Sequence, residues 1–223
     1  MSSVPLTSES IPIANTPIVI AVDGPAASGK GTIARALARH YGLPHMDTGL
    51  LYRAVALNLF RFGGDPGNEL EAVRACDLSA VSFDDDELRS EIVGSYASRI
   101  SAYPAVRAHL LDRQRNFAAQ AGGAVLDGRD IGTVIAPDAM AKLFVTAAPE
   151  VRAKRRLAEL TKRGMNVHYD EVFADIRARD ERDSGREAAP LDQAGDAMLL
   201  DTGEMDVDQA IAAAIKLVER RLS

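Results

Sequence analysis

A chain of 223 residues with 47% hydrophobic content can build a sizeable core as one domain, with room for an insertion. Its net charge of −6 argues against a surface made for nucleic acid. No apolar run approaches membrane-spanning length, no basic flank or apolar segment opens the chain like a signal peptide, and Cys76 stands alone, which excludes an internal disulfide. The expectation is a cytoplasmic protein with neither nucleic acid nor membrane as partner.

Residues 1–16 carry Pro, Ser and Asn without periodicity and read as a flexible N-terminal arm, leaving 17–223 as the folded unit. The apolar run Ile18-Val19-Ile20-Ala21-Val22 predicts a strand buried on both faces. After it come Gly24, Pro25, Ala26, Ala27, Ser28, Gly29, Lys30, Gly31 and Thr32, and then Ile33, Leu37 and Tyr41 at helical spacing. Strand, Gly-rich turn, Lys and helix start are the context of a phosphate-binding P-loop. Glycines let backbone N–H groups converge on anionic oxygens, the helix N-terminus adds positive dipole, and Lys30 reaches the β- and γ-phosphates. All nine residues from Gly24 to Thr32 are therefore assigned to ATP, with Lys30 also catalytic. Gly31 stands where the general pattern has a Mg²⁺-binding Ser or Thr, so the ion is expected to rest mainly on water and phosphate oxygens.

Further along, Gly42 to Met46 predicts a short strand, Asp47-Thr48-Gly49 a turn and helix cap, and Leu50 to Phe60 a helix with Val55, Leu59 and Phe62 as its core stripe. Gly63-Gly64-Asp65-Pro66-Gly67 ends that helix. Residues 68 to about 103 mix short apolar pieces with Asp84-Asp85-Asp86-Glu87 and read as an inserted subdomain of short strands and helices; the acidic run is taken as a solvated turn. A helix opens at Tyr103-Pro104 and stops at Gly122-Gly123. Ala124 to Leu126 predicts a strand ending at Asp127, Lys142 to Thr146 another, and Met198 to Leu200 a last one. Helices are expected at 149–163 and 169–182, and after an Asp206/Gln209 capping box. Alternating strands and helices give an α/β fold, a parallel sheet sandwiched by helices.

In such sheets ligands bind beyond the carboxyl ends of the strands. Asp127, directly after an apolar strand, is placed to hold Mg²⁺ through its waters. Arg152, Lys154, Arg155, Arg156 and Arg163 fall on one predicted helix, and Arg177, Arg179, Arg182 and Arg186 on and beyond the next. Arginine suits planar, bidentate recognition of phosphate, so these groups predict local anion pockets on an acidic protein. The four histidines (His40, His45, His109, His168) lack metal-ligand spacing, no Gly-x-Ser-x-Gly elbow occurs, and no Gly-x-Gly-x-x-Gly follows a strand.

Gly24 to Thr32, Asp47-Thr-Gly-Leu-Leu-Tyr-Arg53, Ala102-Tyr-Pro-Ala-Val-Arg107, Asp127-Gly-Arg-Asp-Ile-Gly-Thr133 and Arg179-Asp-Glu-Arg-Asp183 through Arg186 together resemble the bacterial cytidylate kinases, in that family's order and from about Pro17 onward. The resemblance implies a P-loop kinase core, an NMP-binding insert at about 62–103 and an arginine-rich lid at about 152–186. It implies phosphoryl transfer from ATP–Mg²⁺ to CMP or dCMP. By position, Thr48, Arg53 and Arg129 would hold the acceptor phosphate; Ser98, Arg107, Asp130 and Arg186 would surround the cytosine; Arg179 and Asp183 would meet the ribose. Arg129, Arg156 and Arg182 join Lys30 as the catalytic set, with Arg155 also a candidate to reach the transferring phosphoryl. A monomer is expected. The alternatives are another small-molecule P-loop kinase, such as an adenylate or shikimate kinase, or a nucleotide-binding switch. The missing Asn-Lys-x-Asp element weighs against a GTPase switch.

Overall fold

The computed structural model describes residues 17–223; the arm read at 1–16 lies outside the described residues. Five strands, β1 (Ile18–Asp23), β2 (His45–Asp47), β3 (Gly123–Gly128), β4 (Ala141–Thr146) and β5 (Met198–Asp201), form one parallel sheet in the order β2-β3-β1-β4-β5. β1 is central, and alternation along it feeds two layers. Ile20 and Val22 pack with Ile33 and Leu37 of α1 (Lys30–Tyr41) and Ala214 and Val218 of α8 (Val207–Leu222). Ala21 and Leu126 face the other way, toward Ala118 of α5 (Pro104–Ala118) and Ile131. Coverage on both faces is why these strands read as continuous apolar runs.

Local signals set the ends. Gly42, at φ 65°, closes α1 with its N–H on the Ala38 carbonyl, and Asp206 with Gln209 forms the anticipated capping box of α8. The helix α2 (Thr48–Arg61) begins two residues before the expected position. Val55 and Leu59 are buried in it, but Phe62 is 78% exposed and does not belong to the core stripe. It is the C-cap residue, its N–H still on the Asn58 carbonyl, and it stands beyond the part of the stripe that the core covers.

The region after α2 corrects a second expectation. It contains α3 (Glu69–Arg74), a 3₁₀ turn (Asp86–Arg89) and α4 (Glu91–Ile100), and no strand. Leu78 to Phe83 instead forms turns closed by local bonds such as Val81 N–H to Leu78 O, at 3.2 Å. The segment takes no place in the sheet, and Leu78, Val81 and Phe83 join the helical cluster around α2 instead. Leu88, Val93, Ala97 and Ile100 pack against α2. The acidic run is a turn, as read: Asp85 caps the 3₁₀ turn, and Arg61 pairs with Asp85 and Glu87, each at 2.6 Å.

On the other side of the sheet's carboxyl edge, α6 (Pro149–Lys162) and α7 (Tyr169–Gly185) form a helical hairpin around Ala153, Leu160, Val172 and Ile176, with Ala26 of the Gly-rich loop in the same cluster.

Candidate active site

The loop between β1 and α1 is shaped by backbone that few residues tolerate. Gly24 has φ +154°, and a Cβ there would stand 2.1 Å from the Val145 carbonyl oxygen, so β4 admits only glycine. Gly29 lies at φ 90°, and Ala27 holds φ 58° at some cost in strain. Lys30 opens α1, half-buried; burial, with the Arg129 guanidinium adding to it, lowers its ammonium to about 8 against the pull of Asp127 and Asp47.

Two carboxylates face this lysine from neighbouring strand ends, since Asp47 and Asp127 are register partners on β2 and β3. Burial, and then the Asp127 charge, raises Asp47 above the usual carboxylate range. Asp127 Oδ1 lies 2.7 Å from His45 Nε2, while Oδ2 lies 3.6 Å from where a side chain at position 31 would begin. Among the described residues no group of three or more His, Cys, Asp or Glu could cage a metal ion. Two carboxylates at a phosphate cradle fit an ion held largely by phosphate and water, as Mg²⁺ prefers.

Beside this cradle lies a second cavity, into which the fold brings all nine residues predicted for the acceptor, from Thr48 to Arg186. Thr48 Oγ1 donates to the Asp127 carbonyl at 2.9 Å. Arg129 donates from Nε to Asp183 Oδ2 at 2.6 Å; burial opposes the Arg129 charge, but the Asp183 carboxylate outweighs it and raises the guanidinium further. Arg107 pairs with Asp130 and lies over the Tyr52 ring. Arg186 binds the Ala189 carbonyl through Nε, and its buried Nη2 has no protein partner. Arg53 donates to the Leu88 carbonyl at 2.7 Å, and burial together with Arg179 and Arg156 lowers it to about 10. Arg53, Arg129 and Arg179 line both this cavity and the cleft over Lys30, so the two spaces meet at guanidinium groups.

The remaining arginines of α6 and α7 divide by their surroundings. Arg156 faces the cleft over Lys30, held by Glu91 of α4 and Glu159. Arg155 donates to Thr202 Oγ1 at 2.8 Å and lines a third, largely apolar pocket with Ile33, Met205, Val207 and Ala210. Arg182 lies to the side, its Nε donating to Ser98 Oγ at 3.1 Å. Arg152 does not face a cleft at all: it is buried, bidentate to Asp180 at 2.9 and 2.6 Å, and also donates to Ala26 O and Ala147 O.

Several site residues carry no signal in the sequence. Asp23 ends β1, is pushed up to about 6 by burial, and accepts from the N–H groups of Ile131 and Gly132 at 2.8 and 2.7 Å. It thereby anchors the π-helical turn Ile131–Ile135 that follows Arg129 and Asp130. Gly94 lies against Arg53, since a Cβ there would meet Nη2 at 2.8 Å. Glu91 and His45 meet partners 65 and 82 positions away. A strand-end position was the one available hint for Asp23.

Comparison with known proteins agrees with this geometry. A family model described as cytidylate kinase matches residues 20–220. A protein of Xanthobacter autotrophicus named cytidylate kinase is 60% identical over 206 residues, covering 92% of this chain and 98% of its own. One of Methylocella silvestris with the same name is 56% identical over 203 residues, covering 91% and 94%. Among solved structures, an uncharacterized protein from Eubacterium ventriosum shares the fold with a TM-score of 0.56 at 19% identity, over 92% of this chain and 99% of its own.

Proposed function

This chain belongs to the cytidylate kinase family, and from that premise we propose that it transfers the γ-phosphoryl of ATP to CMP or dCMP, giving ADP and the pyrimidine diphosphate. One observation carries the reading: Arg53, Arg129 and Arg179 stand on the border shared by the P-loop cleft and the second cavity. Phosphoryl transfer spreads negative charge across such a border, and little covalent work remains beyond positioning and charge stabilisation.

The triphosphate lies on the loop amides from Gly24 to Thr32 with Lys30 at the β- and γ-phosphates. Its purine takes the apolar pocket beside Ile33, Met205 and Val207. Thr48, Arg53 and Arg129 hold the acceptor phosphate so that its oxygen faces the γ-phosphorus in line. Asp130 accepts from the cytosine amino group while Arg107, Arg186 and Ser98 serve its ring acceptors. Arg179 and Asp183 meet the sugar. Arg156, and Arg182 by way of Ser98, draw the lid onto the acceptor. Asp127, with Asp47 beside it, would hold Mg²⁺ through water, and the ion would supply charge neutralisation between the phosphates. Closing α4 against α7 excludes water, the competing acceptor. The enzyme is read as a monomer; among the described residues no helix is long and apolar enough to cross a membrane.

An acceptor panel with ATP tests the assignment. CMP and dCMP are expected to be phosphorylated. Transfer to AMP or shikimate but not CMP overturns the substrate, and acceptor-independent slow hydrolysis would identify a switch instead.

A further inference from the structure

We infer that His45 is a positioning residue for Asp127, one that compensates for the hydroxyl missing at Gly31. The inference rests on the reading of Asp127 as the carboxylate that serves Mg²⁺. An ionised carboxylate only accepts hydrogen bonds, so at 2.7 Å the His45 Nε2 carries the proton and donates to Oδ1. His45 and Asp127 are brought together by the β2–β3 register, in which Asp47 pairs with Asp127 and His45 points from the same face two residues earlier. The imidazole side chain is 17% exposed and the carboxylate 3%, so the pair is shielded from competing water.

The consequence is directional. The terminal torsion of an aspartate is broad and nearly two-fold, so an unheld carboxylate samples both oxygens at one place. With Oδ1 taken by His45, Oδ2 is the oxygen presented above Gly31, 3.6 Å from where a Cβ would start. That is the space a Ser or Thr hydroxyl occupies in the general P-loop pattern, and glycine leaves it open for the carboxylate. A Cβ at position 31 would stand in ordinary contact with Oδ2, so it is the missing hydroxyl, not room, that glycine changes; without the imidazole the carboxylate has no side-chain donor to aim it.

A group that steadies the ion's direct ligands is worth about 10- to 100-fold in metal affinity when removed; that is the scale for Asp127 and an upper bound for His45, which acts through it. The test titrates Mg²⁺ against ATP binding in the absence of CMP, by calorimetry, on the full chain. His45→Leu is expected to raise the half-saturating Mg²⁺ concentration about tenfold. His45→Gln, which keeps a donor, should stay within about twofold of the parent. CMP affinity measured without Mg²⁺ should be the same in all three. An unchanged Mg²⁺ midpoint in His45→Leu, with a raised one in Asp127→Asn, overturns the role of His45 alone. An unchanged midpoint in Asp127→Asn overturns the reading of Asp127 and this inference with it. Equal losses of CMP and Mg²⁺–ATP binding in His45→Leu, or no recovery in His45→Gln, would mark a merely structural contact and also overturn it.

Discussion

The two halves of the site are made of different materials. On the donor side the phosphate cradle is main chain, fixed by positive φ at Gly24, Ala27 and Gly29 and by a strand carbonyl that tolerates no Cβ. On the acceptor side the groups include guanidinium ions on long side chains, some already engaged: Arg129 by Asp183 and Arg107 by Asp130. A backbone cradle needs little reorganisation to receive an anion, whereas an arginine held by a carboxylate must share or exchange its partner. The donor side is therefore preorganised, whereas the proposed acceptor side must exchange ion pairs to take its ligand.

Substitutions can separate the two. Lys30→Ala removes the side-chain charge at the mouth of the cradle and should lower kcat about 10³-fold with the melting temperature nearly unchanged, checked by steady-state rates and thermal unfolding. A near-normal kcat would mean the main-chain cradle works alone. Asp130→Ala should raise KM for CMP about 10- to 100-fold, corresponding to about 1.5–3 kcal/mol, while ATP binding stays close to the parent. Equal loss for both nucleotides would show that the two halves are not distinct.

A pH titration gives a smaller effect of defined sign. The Lys30 ammonium titrates at about 8 in the free enzyme, below its ordinary value, and only the charged form attracts phosphate. ATP affinity should accordingly fall as pH rises above about 8, approaching tenfold per unit, and Lys30→Arg should flatten the profile because arginine stays charged. The smallest effect belongs to Glu91→Gln. Freeing Arg156 from a partly exposed carboxylate should tighten ATP by up to about fivefold at low salt, with the difference fading at high salt. No change at either salt concentration would mean that the contact between α4 and α6 does not compete with nucleotide.

What the sequence revealed follows the same division. The P-loop, the parallel sheet and the capping box of α8 are encoded within short windows, so period and turn chemistry were enough to place them. The nine residues proposed for the acceptor came from resemblance, because nothing in their local spacing tells that Thr48 and Arg186 share a cavity. The segment after α2 was misread as partly strand, since short apolar pieces such as Leu78 to Phe83 have no decisive period and their fate depends on whether a sheet edge is at hand. Asp23, His45, Glu91 and Gly94 stayed silent for a related reason: each matters through a partner 41 to 108 positions away, a relation that exists only after folding.

Arg152 sets a mechanical limit on any movement of the α6–α7 hairpin. It fastens the root of α6 to Asp180 near the far end of α7 and to the Ala26 carbonyl, in a setting where stripping one ion of its partner costs about 3–5 kcal/mol. The hairpin thus resembles a lever whose fulcrum is bolted beside the triphosphate. Swing is left to the distal turn between Lys162 and Tyr169, and the arc described by Arg156, one helical turn from the bolt, is correspondingly short.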